Sequence, residues 1–328
     1  MAHPPPSFRT DAAVTFRHRL DHALARWGYR RHHHRVEPGL WALGDPGPDS
    51  PVLVTANYTL SFDALRAALA GRRAWILVLD TQGINVWCAA GKGTFGTAEL
   101  LTRLGRAGLA GLVTHRRLIV PQLGASGVAA DEVERISGFR VEFGPVRASD
   151  LPAYLDRGEA TPAMRRVTFS LAERLVLIPM EMVTGLPWLG AAMILLFLLG
   201  GWTAALSGLA AYLAGTVLFP LLLPRLPSRD FFTKGYLLGV AATLPTLLWL
   251  LSSARGRPWW LSGGAALTAL LAMPPVTAFL ALNFTGATTF TSPTAVRREI
   301  FTWIRPAAWL TGTGLAVGTL SAVAAFTR

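Results

Sequence analysis

Ala74-Trp-Ile-Leu-Val-Leu-Asp-Thr-Gln-Gly-Ile-Asn-Val-Trp-Cys-Ala-Ala-Gly-Lys-Gly-Thr-Phe-Gly96 is the stretch on which the reading of the first half of the chain turns. Ala74–Leu79 is an unbroken apolar run, the pattern of a strand buried on both faces. Thr97–Leu109 follows with helical spacing and Thr97 as its expected N-cap. The same alternation surrounds it. Pro51–Thr55 reads as a strand before a helix at Ser61–Leu69, and Arg117–Val120 as a strand before a helix at Val128–Ile136. Phe139–Phe143 reads as a strand before a last helix, capped by Ser149-Asp150 and ending at Leu155. Strands alternating with helices predict a Rossmann-like α/β domain over residues 51–166, a parallel sheet with helices on both faces. Residues 1–50 are its N-terminal extension. Met1–Ala12 lacks the apolar core of a secretory signal, while Val14, Leu20, Leu24 and Trp27, with arginines between them, predict an amphipathic helix between Asp11 and Tyr29.

The second half is chemically different. The 328 residues include 31 Lys+Arg and 19 Asp+Glu, a formal net charge of +12, but beyond residue 170 only ten basic and four acidic residues remain. An ordinary soluble domain has about a quarter of its residues charged. With 52% hydrophobic residues and 11 Trp the chain is too apolar for disorder, and its one cysteine excludes a disulfide scaffold. After an amphipathic connector at 167–185, uncharged apolar runs predict an all-α transmembrane bundle of five helices, at about 186–201, 204–223, 235–254, 259–282 and 307–326. Gly200-Gly201 and Ser207-Gly208 offer a turn between the first two; one long tilted helix through 186–223 would reduce the spans to four. Arg225, Arg229 and Lys234 fall in one connection and Arg297, Arg298 and Arg305 in another. The positive-inside rule then places the N-terminal domain in the cytoplasm, at the inner membrane, with the C-terminus outside; Arg255 and Arg257 run against it. No Asp, Glu, Lys, Arg or His lies within an expected span, which favours an anchor over a transporter. Trp259-Trp260 reads as an interfacial anchor, and Glu181 has no account beyond snorkelling or a helix–helix hydrogen bond.

In a parallel sheet the ligand lies at the carboxyl ends of the strands, here the loops at Ala56–Tyr58, Thr81–Gly96, Gln122–Gly127 and Gly144–Ala148. A Walker loop fails, because Val86 stands where its first glycine belongs and Gly93 follows Lys92. Gly91-Lys-Gly-Thr-Phe-Gly96 matches the G-x-G-x-x-G pattern but begins too far after Leu79 to be a dinucleotide turn. Cys88 remains. A lone cysteine is by default a small buried hydrophobe. Against that, Asn85 would cap a short helix from Val86 to Ala90, setting the sulfur near a positive helix start with Lys92 within reach. Both favour the thiolate, the form that ligates metals, and small Ala89 and Ala90 leave room for a large planar ligand. His32-His33-His34 reads as a solvated tract and His115 as a surface residue.

Asn85-Val-Trp-Cys-Ala-Ala-Gly-Lys92 resembles the cap-helix motif of the mercury-methylating corrinoid proteins (the HgcA family), which share the layout of a corrinoid domain followed by five membrane helices. Asn57-Tyr58, Pro121–Gly127 and Gly144–Leu155 extend the likeness. The soluble domain is also similar, more distantly, to the large subunit of the corrinoid iron–sulfur protein of the acetyl-CoA pathway. The resemblance implies a cobalamin-type corrinoid cofactor with the Cys88 thiolate as lower axial cobalt ligand. It implies cofactor contacts from Asn85, Val86, Trp87, Ala89, Ala90, Gly91 and Lys92, and from the loop residues Thr55, Asn57, Thr81, Gln122, Gly124, Ala125, Gly144, Pro145 and Val146. The implied activity is a membrane-anchored methyltransferase that takes a methyl group from a methyltetrahydrofolate-type donor and passes it to Hg(II), giving methylmercury. The implied reductant is a ferredoxin-like protein with two [4Fe–4S] clusters, and with one cysteine this chain is expected to hold no cluster of its own. Two other functions compete: a corrinoid methyl carrier with a different acceptor in one-carbon metabolism, and a membrane transport or scaffold protein with a regulatory α/β domain. Nothing points to nucleic acid.

Overall fold

The computed structural model describes residues 7–30, 33–288 and 292–327. They form two compact units, one running to Thr168 and the other from Phe169 onward, with Arg26–Gly28 grouped with the second.

The first unit is a six-stranded sheet in the order β1-β2-β4-β3-β5-β6. Its strands are β1 (Ser7–Thr10), β2 (Gly39–Leu43), β3 (Val52–Ala56), β4 (Ala74–Leu79), β5 (Arg117–Val120) and β6 (Arg140–Phe143). β4, β3, β5 and β6 are mutually parallel, but β2 runs antiparallel to β4, Leu40 opposite Leu77. The expected all-parallel sheet is therefore a mixed one, widened by two strands from the N-terminal extension. Successive residues of a strand face opposite sides. Val52, Val54 and Ala56 join Leu77 and Leu79 in one core, and Leu53 joins Ile76 and Val78 in the other.

Among the described residues six helices precede Phe169: α1 (Phe16–Arg26), α2 (Thr59–Ala68), α3 (Val86–Lys92), α4 (Thr97–Ala107), α5 (Ala130–Ser137) and α6 (Leu151–Arg157). Residues of α3, α4 and α5 line the first core; Phe62 and Leu65 of α2 and Tyr154 of α6 line the second. The expected caps need correction. Gly96, not Thr97, caps α4, and the Thr97 hydroxyl instead accepts from the Ala129 N–H at 2.9 Å. Asp150 stands at the N-cap of α6 without a capping hydrogen bond, after a 3₁₀ turn at Ala148–Asp150. His34 is not solvated. It is buried, with Nδ1 2.7 Å from Asp21 and Nε2 2.6 Å from the Tyr29 carbonyl; His32 lies outside the described residues. His115 is half-buried against the Ser50 carbonyl at 2.9 Å.

The second unit opens with α7 (Leu171–Leu175), started by a reciprocal capping box between Ser170 and Glu173. Next come α8 (Ile178–Leu213), a π-turn at Ala214–Leu218, α9 (Phe219–Leu222), α10 (Phe231–Ser252), α11 (Trp259–Asn283) and α12 (Pro293–Phe326). Among the described residues four apolar runs are long enough to cross a membrane: Leu171–Leu222, Phe231–Ser252, Trp259–Asn283 and Thr294–Phe326. The first is folded back on itself. Gly200 and Gly201 leave the helical region, Gly201 at φ 63°, ψ −158°, a conformation open essentially to glycine alone. Beyond the break the two arms meet: the Tyr212 hydroxyl donates to the Met182 carbonyl, and a Cβ on Gly208 would touch the Leu196 side chain. A straight helix would hold residues 182 and 212 about 45 Å apart. The sequence thus encodes a helical hairpin at Gly200-Gly201.

Helix starts in this unit differ from expectation. Lys234 lies not in a connection but within α10, buried, its ammonium donating to the Leu223 carbonyl at 3.3 Å. Arg297, Arg298 and Arg305 lie on α12. Glu299, on the same helix, is buried, and its carboxylate accepts from the Phe232 N–H at 2.9 Å, supplying the cap that α10 lacks locally.

Candidate functional site

The chain order of the sheet creates a crevice. From β3 it passes through α2 to β4 on one side, then through α3 and α4 to β5 on the other. Strand order reverses between β3 and β5, the switch point at which α/β sheets bind ligands. α3 sits there, against β3 and the 3₁₀ turn Gln122–Gly124 that follows β5.

The local sequence explains its form. The Asn85 side chain accepts from the Cys88 N–H at 2.9 Å, closing the N-terminus. Gly93 ends the helix in the left-handed region at φ 81°, and the Ala89 carbonyl accepts from both Thr94 and Phe95. The helix reaches Lys92, two residues beyond the stretch expected to form it. Val86, Ala89 and Ala90 face the core. Trp87, Gly91 and Lys92 face outward with Asn85, and Cys88 is partly exposed among them.

A keystone beneath α3 escaped the sequence reading. Phe95 is fully buried, and its neighbours are glycines because nothing larger fits. A Cβ on Gly124 would lie 2.5 Å from the Phe95 ring; one on Gly127 would lie 2.1 Å from the Phe95 carbonyl oxygen and 3.1 Å from Ala90 Cα. The glycines of the Gln122–Gly127 loop seat α3. The G-x-G-x-x-G pattern spans the end of α3 and the start of α4, so it forms no tight strand–helix turn.

Asn57 organises the approach to α3. It is 1% exposed, and its Oδ1 accepts from the Thr81 N–H at 3.0 Å, the Thr81 hydroxyl at 2.9 Å and the Gly83 N–H at 2.9 Å. Its Nδ2 donates to Asp80 at 3.2 Å. The Thr81 hydroxyl has one proton for two acceptors, and the Ile84 carbonyl, 2.6 Å away, is nearer to it than Asn57 Oδ1. Glu99 of α4 accepts from the Asp80 N–H at 2.8 Å and from Arg103 at 2.6 Å, tying the loop to the next helix.

The residues named from sequence therefore divide. Asn85, Trp87, Cys88, Gly91 and Lys92 form one accessible patch, and a Cβ on Gly91 would meet nothing within 4 Å. Gln122, Ala125 and Val146 are partly exposed on the two loops beyond β5 and β6, where the Gln122 side chain accepts from Arg165 at 2.8 Å. Thr55, Asn57, Thr81, Val86, Ala89, Ala90, Gly124, Gly144 and Pro145 are buried and shape the edge from behind.

The class defined by this fold and edge is an α/β domain presenting one thiol on a capped helix over its switch point. The comparisons give it relatives. Residues 27–155 match the family described as CO dehydrogenase/acetyl-CoA synthase delta subunit. Over 125 residues the chain is 34% identical to the acetyl-CoA decarbonylase/synthase complex subunit gamma of Archaeoglobus fulgidus, covering 38% of this chain and 26% of that protein. It is 35% identical over 124 residues to the Methanopyrus kandleri subunit gamma, covering 37% and 26%. The Methanothermobacter thermautotrophicus subunit gamma is 32% identical over 124 residues, covering 37% and 27%. The chain thus spans about a quarter of the length of these relatives.

Proposed function

We propose that the chain is a membrane-anchored corrinoid methyl carrier of one-carbon chemistry, with the α3 edge as its cofactor face. The observation that carries this is the coincidence of two independent lines. Residues 27–155 match a family of CO dehydrogenase/acetyl-CoA synthase subunits, and the one thiol of this chain stands on a capped helix at the ligand end of the sheet.

The residues fit a large planar ligand. The patch is open, Gly91 adds no bulk, and the helix behind it is held by Asn85, Phe95, Gly124 and Gly127. A bound corrinoid supplies a cobalt that accepts a methyl group from a donor and yields it to an acceptor. The chain's part is to hold and tune it. Cys88 would hold the cobalt through its thiolate and donate electron density to it, which would favour release of the methyl group. Trp87 covers the ring edge, and Lys92 binds an amide of the corrin periphery. The loops at Gln122–Ala125 and Gly144–Val146 receive the cofactor's tail. The apolar helices of the second unit span the inner membrane, with the first unit on the cytoplasmic side.

The Asn-Val-Trp-Cys-Ala-Ala-Gly-Lys octapeptide, found here on a capped helix, favours Hg(II) as an acceptor, with a methyltetrahydrofolate-type donor and a ferredoxin-like reductant. The test begins with purified chain reconstituted with a corrinoid. X-ray absorption is expected to find sulfur bound to cobalt, and Cys88→Ala is expected to lose that scatterer and methyl transfer while keeping its fold. Only nitrogen or oxygen neighbours at cobalt would overturn the thiolate role. Methyl transfer that proceeds with other acceptors but not with Hg(II) would remove mercury alone.

A further inference from the structure

α1 is built the wrong way round for a helix in water. Its inward face is polar: the His22 ring contacts Asp63 at 2.7 Å, Asp21 contacts His34 at 2.7 Å, and His18 contacts Arg66 at 3.2 Å. Asp63 and Arg66 are themselves buried and paired at 2.7 Å. The outward face is apolar. Phe16, Leu20 and Ala23 recur at helical spacing, with Trp27 continuing the stripe in the turn beyond. At 100° per residue these four positions fall within about 60° of one another. Phe16 is 81%, Leu20 49% and Trp27 51% exposed. Arg17, Arg19 and Arg26 flank the stripe, all exposed, and no carboxylate shares that face, because Asp21 is turned inward.

We propose that this face of α1 lies on an anionic lipid surface, its stripe sunk to the acyl boundary and its arginines among the headgroups. Water gives the helix no reason to display Phe16 and Leu20 while it turns the half-buried His22 and Asp21 inward. An apolar stripe with basic flanks and a terminal Trp is the form of an interfacial helix. The source is at hand, since the same chain carries four apolar runs of membrane-crossing length. The proposal rests on reading those runs as embedded, and flotation of the full chain with vesicles checks that separately.

The experiment places a nitroxide at Leu20→Cys in a Cys88→Ser background, with the full chain in vesicles of phosphatidylglycerol and phosphatidylcholine, or of phosphatidylcholine alone. In the anionic vesicles the label is expected to become several-fold more accessible to oxygen than to an aqueous nickel chelate. That preference is expected to fall in pure phosphatidylcholine and with Arg17→Gln/Arg19→Gln/Arg26→Gln. A matched label at the exposed Glu134 of α5 stays aqueous throughout. Hydrogen exchange of the unlabelled chain provides a second readout, with slower exchange over Phe16–Arg26 in anionic vesicles. Aqueous accessibility at position 20 in anionic vesicles, or indifference to the headgroup, would overturn the proposal. So would shielding that grows with the protein-to-lipid ratio or appears only with an added acidic protein, each of which assigns the face to a protein contact.

Discussion

Replacing Asn57 with alanine tests how the loop before α3 is held. The substitution removes the acceptor shared by the Thr81 and Gly83 N–H groups, and Thr81 is itself fully buried. A buried donor left without a partner costs about 1–3 kcal/mol, so two cost about 2–6 kcal/mol, less whatever a water entering the vacated space recovers. At about 1.4 kcal/mol per factor of ten, the lower figure is roughly a 30-fold rise in local opening. Native-state hydrogen exchange over residues 80–85 reads this directly, without assuming that two units unfold as one. The 74–79 strand is expected to keep its protection while the loop loses it. Asn57→Asp keeps the acceptor but replaces the 3.2 Å donation to Asp80 with a second carboxylate facing it, so the loop is expected to regain protection in this variant only as the pH falls and the pair takes up a proton. Unchanged protection of Thr81 and Gly83 in Asn57→Ala would refute the reasoning.

Gly127→Ala drives a methyl group to 2.1 Å from the Phe95 carbonyl oxygen, and is expected to destabilise the first unit by about 2–3 kcal/mol in denaturant unfolding. Gly201→Val forces a branched side chain into a glycine-only conformation, at a cost of about 1–3 kcal/mol. It is expected to reduce cross-linking between cysteines placed at Leu196 and Gly208, read in a Cys88→Ser background. Cys88→His is expected to retain a bound corrinoid in visible absorption yet lose most turnover, because imidazole is a neutral and weaker donor. Tyr154 is buried, and burial holds its phenol above the ordinary value, with Glu142 adding to the effect and Arg117 opposing it. A raised phenol contributes stability that is full below its unfolded value of about 10 and is lost as pH rises beyond it. Alkaline unfolding is therefore expected to be shallower in Tyr154→Phe.

Much of this architecture is legible in the sequence where one physical signal dominates. Val52–Ala56 and Ala74–Leu79 are buried on both faces and so read as unbroken apolar runs. Asn85 reads as a cap because its short side chain suits that role. β1 and β2 do not read this way. Ser-Phe-Arg-Thr is a polar edge strand, and nothing local in Gly39–Leu43 tells that it pairs antiparallel with β4. Buried polar groups are invisible for the same reason. His34 sits in a basic tract, Glu299 beside two arginines, and only tertiary contact reveals that each is enclosed and partnered. Phe95 and Gly127 are ordinary letters until their separation in space is known.

A solitary thiol has a cost in air. Cysteine oxidised to a sulfenic acid is commonly recovered by condensing with a second thiol nearby, and further oxidation is not reversed by ordinary reductants. Cys88 is partly exposed, and this chain offers no second cysteine. Repair falls to small thiols from solution, so the useful life of the preparation outside an anaerobic chamber is set by the reductant around it.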